Sequence, residues 1–151
     1  MSDNKINIKN KKAYFDFEIL EKLIAGMELT GTEIKSIRKG KASLVDSYCY
    51  FKNNELWVKG MRISEYEHGN IHNHNPYRER KLLLNRSELN RFEKRVREKG
   101  LTISALRLFI NENNLAKLEI ALVKGKREYD KRETIKQKDL QREMDRLGKI
   151  R

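Results

Sequence analysis

The chain has 151 residues, 38% hydrophobic and 37% charged, with 34 Lys and Arg against 22 Asp and Glu and a net charge of +12. That length suits one domain around one compact core, and the positive field concentrates polyanions, nucleic acid foremost. A membrane role and an oxidised, disulfide-built fold are not expected: there is no long apolar span, amphipathic anchor or lipidation signal, the basic stretch from Lys5 to Lys12 has no apolar run behind it, and Cys49 stands alone.

In chain order, Asp16 is placed to cap a helix whose Phe17, Leu20 and Ile24 fall at i, i+3 and i+7, with Gly26 as its stop. A brief strand over Met27 to Leu29 follows. Thr30 and Glu33 then have capping-box spacing ahead of Ile34 and Ile37, predicting a second short helix that ends by Gly40. From Leu44 to Ile63 the chain is rich in β-branched and aromatic residues around Asn53-Asn54, a pair suited to the positive φ of a tight hairpin turn. Cys49 lies in this alternating stretch and reads as a buried spectator.

The segment Ser64 to Lys81 is polar, aperiodic and holds all three histidines, so it is predicted as a long connection. Leu82 to Leu84 form a short strand. Ser87 is then placed to cap a third helix that buries Leu89, Phe92 and Val96, ends at Gly100 and turns Arg91, Lys94, Arg95 and Lys99 outward. Thr102 to Ile110 and Leu115 to Val123 flank the turn-forming quartet Asn111-Glu112-Asn113-Asn114, a second hairpin. Short strands, about three helices and no βαβ repeat predict a mainly β fold, an OB-like antiparallel barrel with helices outside, over residues 1–123.

Residues 124–151 form a separate basic tail with 11 basic and 6 acidic residues and few aliphatic side chains. Leu140, Met144 and Leu147 share a helical face, but an isolated helix of this length is marginal in water. The tail is therefore predicted to be disordered alone and helical on an anionic partner.

Enzymatic patterns are missing. Lys124-Gly125-Lys126-Arg127 departs from a phosphate loop, because Ile120 stands where its first glycine belongs and Arg127 where its hydroxyl belongs. His68, His72 and His74 have no accompanying carboxylate pattern, so no metal, cofactor or small-molecule substrate is assigned. No nucleophile elbow is present. The positive signals are instead two clusters, Tyr77-Arg78-Glu79-Arg80-Lys81 and Lys124 to Arg132 around Tyr129, each joining cations for phosphates to a flat ring on which a base can stack.

Four runs in order, Gly31-Thr32-Glu33-Ile34-Lys35-Ser36-Ile37-Arg38-Lys39-Gly40, Asp46-Ser47-Tyr48, Arg78-Glu79-Arg80-Lys81-Leu82-Leu83-Leu84-Asn85 and Gly125-Lys126-Arg127-Glu128-Tyr129-Asp130-Lys131-Arg132, resemble the successive motifs of the SsrA-binding protein family, also called small protein B. The resemblance covers roughly residues 10–146. It implies a non-catalytic partner of transfer-messenger RNA in trans-translation: an OB-like barrel grips the tRNA-like domain, and the complex enters stalled ribosomes. By that resemblance Glu33, Leu83 and Asn85 contact the RNA elbow, Asn85 through a base edge and Leu83 on a base face.

For Glu33 two readings stay open, contact with RNA through a base amino group or by organising cations such as Lys35 and Arg38, and a plain helix cap through Thr30. Arg78, Arg80 and Lys81 join the expected RNA-binding set. The resemblance also implies that Tyr129, before Asp130, stacks in the small-subunit decoding centre, that Lys126, Arg127, Lys131 and Arg132 bind ribosomal RNA phosphates, and that the tail lies in the mRNA path. Arg127 stands where lysine is frequent, which keeps the charge. The rival readings are a general basic ribosome-associated protein or RNA chaperone, with little preference among structured RNAs and a steep salt slope, and, least supported, a metal-dependent nuclease using the histidine loop.

Overall fold

The computed structural model describes residues 6–69, 72–125 and 138–142. Strand β1 (Asn7–Lys9) leads into helix α1 (Lys11–Asp16), whose N-cap Asn10 accepts from the Ala13 N–H through Oδ1 while its Nδ2 donates to the carbonyls of Leu44 (3.1 Å) and Ala105 (2.9 Å). A buried amide with three partners thus pins α1 to two other segments. Strand β2 (Phe17–Met27) follows without a loop, then α2 (Gly31–Arg38), β3 (Ala42–Ser43), β4 (Tyr48–Lys52), β5 (Glu55–Lys59), β6 (Arg62–Ile63), β7 (Arg80–Leu83), α3 (Arg86–Lys99), β8 (Thr102–Ile110) and β9 (Ala116–Gly125).

The sheet is antiparallel throughout, in the order β1-β8-β4-β5-β7-β2-β9, and β8 also pairs with β9. That last pairing closes six strands into a hydrogen-bonded ring and leaves β1 on the remaining edge of β8, beside the short β4–β8 pairing. Closure satisfies edge groups that an open sheet would leave unpaired. Alternate residues fill the interior: Ala25 and Met27 from β2, Leu56 and Val58 from β5, Leu82 from β7, Ile103, Ala105 and Leu108 from β8, and Leu118, Ile120 and Leu122 from β9. Leu89 and Phe92 of α3 and Ile37 of α2 join the same cluster.

The segment Phe17 to Gly26, expected as a helix, is instead most of the longest strand. Its i, i+3, i+7 pattern arises from a bulge: Ile19 pairs with Val123 but Glu21 pairs with Leu122, so Leu20 is an extra residue. One inserted residue exchanges the two faces. Before the bulge Phe17 and Ile19 pack with Ala13, Leu106, Ala121 and Val123 in a small outer cluster beside α1; after it Leu23 and Ala25 face the main core. Leu20 and Ile24, expected to be buried, are 39% and 46% exposed. Asp16 ends α1 instead of opening a helix.

The brief strand expected over Met27 to Leu29 is not a separate element, since Met27 ends β2 and Glu28 and Leu29 lie beyond it; the remaining expected elements stand, with shifted ends. Asn53 and Asn54 turn the β4–β5 hairpin at φ of 53° and 63°, and Asn114 at φ 65° lies in the β8–β9 turn. Helix α3 begins one cap earlier than expected, at Asn85, with Ser87 inside it, and ends on Gly100 at φ 63°. Of its outward cations, Arg91 and Arg95 each reach Glu21 on β2 at 3.4 Å. In the tail, residues 138–142 are helical and Lys138 stands over the Phe15 ring, 5.4 Å from its centre. Among the described residues no helix is long and apolar enough to cross a membrane.

Candidate nucleic-acid interface

Strand β7 carries three residues of the expected interface, Arg80, Lys81 and Leu83, and divides them between two faces. Arg80 and Leu82 point inward, opposite Val58 and Met27 of the neighbouring strands, while Lys81 and Leu83 point outward. Arg80 is fully buried, and its guanidinium donates to Glu33 Oε2 (2.6 Å) and to the carbonyls of Met61 (2.6 Å), Pro76 (3.1 Å) and Asn75 (3.4 Å). Burial lowers the Arg80 pKa, and Glu33 opposes this in part. Such a charge deprived of its partner would be costly, so Arg80 is fixed in one place.

Glu33 is equally buried and closes both halves of a capping box with Thr30: its carboxylate accepts from the Thr30 N–H (2.8 Å), while the Thr30 hydroxyl accepts from the Glu33 N–H. The same carboxylate takes Arg78 at Oε1 (2.5 Å) and Oε2 (3.3 Å), and Arg78 also donates to the Glu28 carbonyl. Burial pushes the Glu33 carboxyl up, but Arg78, the Thr30 N–H and Arg80 together outweigh it and hold it below the usual carboxylate range. Of the two open readings of Glu33, these contacts carry the helix cap. Glu33 caps α2, and it organises cations, but these are Arg78 and Arg80; Lys35 and Arg38 lie elsewhere on the helix surface, near the Tyr66 ring and the Asn114 carbonyl.

The expectation that Glu33 and Arg80 touch RNA conflicts with their burial. With no exposed surface, they brace the strand and loop that do present a surface. His74 braces the same region from another side. Only 7% exposed, it has its Nε2 at 2.8 Å from the Ile63 carbonyl and its Nδ1 at 2.9 Å from the Thr32 hydroxyl. The carbonyl can only accept, so Nε2 donates to it. This ties the loop over residues 64–79 to the first turn of α2. Among the described residues no cluster of three or more metal-ligating side chains occurs.

The outward residues are available. Leu83 is 48% exposed, and Lys81 beside it is half-buried without an ion pair among the described residues. Leu83 pairs with Gly26, which pairs with Lys117, so an exposed leucine, a bare stretch of backbone and a lysine form one row across β7, β2 and β9. A Cβ on Gly26 would stand 3.4 Å from Leu83 Cβ and 3.6 Å from Lys117 Nζ; its absence keeps the row flat. Sequence reading missed this row, because strand register appears in no local pattern.

Asn85 is exposed at the end of the same strand and caps α3: Oδ1 accepts from the Glu88 N–H (2.8 Å) and the Ser87 hydroxyl (3.1 Å), leaving Nδ2 without a partner among the described residues. Only the donor half of this amide is therefore free for a base edge. Lys126, Arg127, Tyr129, Asp130, Lys131 and Arg132 lie outside the described residues.

A family model described as "SmpB protein" matches residues 7–150. An "SsrA-binding protein" of Phocaeicola vulgatus is 60% identical over 99% of this chain and 99% of its own length, and one from Moorella thermoacetica is 51% identical over 94% and 92%. In solved structures, a chain from "tmRNA-SmpB: a journey to the center of the bacterial ribosome" is 40% identical, superposes with a TM-score of 0.69, and the match covers 86% of this chain and 94% of that one.

Proposed function

The chain belongs to the SmpB protein family, and from that premise we propose that it binds the tRNA-like domain of transfer-messenger RNA and delivers it to stalled ribosomes in trans-translation. It acts in the cytoplasm by binding and positioning, without catalysing a reaction. The barrel, which the structure extends past the expected boundary at residue 123 to the end of β9 at Gly125, holds the RNA; the basic tail beyond it serves the decoding centre and the mRNA path, with Tyr129 stacking beside Asp130 and Lys126, Arg127, Lys131 and Arg132 on phosphates.

The observation that carries this reading is the contrast along β7. A buried Glu33–Arg80 pair sets the strand, and the adjacent outward positions offer an ammonium, an apolar face and a free amide donor at Lys81, Leu83 and Asn85. Those three chemistries match a phosphate, the face of an unstacked base and a base edge. Arg78, partly exposed above Glu33, adds a phosphate contact.

Filter binding at fixed salt tests the reading: unlabelled tRNA-like RNA should displace a labelled copy far better than unrelated tRNA does. Equal displacement would instead favour a general basic RNA-binding protein. Truncation before Lys131 should spare RNA affinity while abolishing tagging on stalled ribosomes. Loss of RNA affinity in that truncation would refute the division of labour.

A further inference from the structure

The outward face of the β4–β5 hairpin carries three aromatic rings, those of Tyr48, Tyr50 and Trp57. Antiparallel register sets Tyr50 opposite Trp57, and Trp57 opposite Lys81 of β7, so two rings and an ammonium form a row across three strands. Tyr48, on the same face, is 41% exposed, and its ring centre lies 6.4 Å from that of Tyr50 at a 49° tilt. Lys52 Nζ stands 5.5 Å from the centre of the Trp57 ring, and exposed Lys59 lies opposite Tyr48.

Cations outnumber carboxylates on this face, Lys52, Lys59 and Lys81 standing against Glu55 and Glu79. The carboxylates are engaged, Glu79 accepting from the Tyr50 hydroxyl at 2.6 Å and Glu55 pairing with Arg86 at 3.2 Å. Lys52, Lys59 and Lys81 have no carboxylate partner among the described residues. Aromatic rings on a sheet surface, rimmed by uncompensated ammonium groups, suit unpaired bases and their phosphates. An apolar protein segment would leave those lysines uncompensated.

We propose that this face is a second RNA contact, on which unpaired bases of the bound RNA stack over Tyr48, Tyr50 and Trp57 while Lys52, Lys59 and Lys81 hold the flanking phosphates. Lys81 and Leu83 project from the same side of β7, so the platform continues the surface already described and takes the same tRNA-like RNA. The inference rests on the proposed function in that respect. The Lys52 ammonium moves from the Trp57 ring to a phosphate when a base takes its place.

Trp57 is the chain's single tryptophan and therefore its own reporter. The full chain is titrated with tRNA-like RNA while filter retention, Trp57 emission and acrylamide quenching are followed together. Emission should fall and acrylamide access decrease with the midpoint of retention. Tyr48→Ala should weaken retention roughly tenfold, within the range for one stacked base, at unchanged thermal midpoint. Lys59→Gln should lower the slope of log affinity against log salt by about one. Retention with unchanged Trp57 emission and access, and with Tyr48→Ala binding like the parent, would overturn the platform and leave the proposed function intact. No selective retention of the RNA at all would overturn both.

Discussion

The two faces of β7 differ in what a substitution there can do. Inside, Arg80 is fully enclosed and its hydrogen bonds converge on Glu33 and three carbonyls; outside, Leu83 is nearly half exposed beside Gly26. Neighbouring residues in one motif therefore divide into a brace and a contact surface. Proximity in sequence to an RNA-binding motif says nothing about which of the two a residue is.

The sharpest way to break this contrast is on the buried side. Glu33→Ala leaves Arg80 charged, buried and short of its partner, and should cost roughly 3–5 kcal/mol of stability in urea unfolding. A loss below about 1 kcal/mol would mean that the cluster does not brace the fold. Acid titration probes the same group more gently. The Glu33 carboxyl lies below its ordinary value of 4.5 in the folded chain, so its contribution is full above that value and is lost as pH falls through the lower folded pKa. Glu33→Gln should flatten that acid limb in a stability-versus-pH series.

A smaller effect separates the two jobs of Asn85. Asn85→Ala removes the α3 cap and should cost about 1 kcal/mol, whereas Asn85→Asp keeps a capping oxygen and should stay within about 0.5 kcal/mol of the parent. Both lose the free Nδ2 donor, so both should bind tRNA-like RNA more weakly. Parental affinity in the Asp variant would limit Asn85 to capping. At the lower end, Lys81→Gln should leave thermal stability unchanged and reduce the salt slope of RNA binding by about one.

The capping box at Thr30 and the Asn-rich turns are local chemistry, and α2, α3 and both hairpins were correspondingly legible, though the α3 cap was assigned to Ser87 where the structure has Asn85. Strand β2 was not, because the extra residue at Leu20 breaks its alternation and mimics a helical period. Among the site residues, Leu83 and Asn85 are exposed, and Lys81 is half-buried beside them. The burial of Glu33 and Arg80 was hidden, since an Arg-Glu-Arg-Lys run gives no sign that alternate cations point into a barrel. Nor could sequence join Gly26 and Lys117 to Leu83, or Trp57 to Lys81, as these pairings are set by register across the closed sheet.

The central claim, that β7 braces with one face and binds with the other, is tested most directly by Leu83→Ala, with urea stability and affinity for tRNA-like RNA measured on the same preparation. The account predicts stability within about 0.5 kcal/mol of the parent, as for a surface site, together with an affinity loss on the order of tenfold from the apolar area no longer buried. Unchanged affinity, or an affinity loss that merely follows a loss of folding, would contradict it.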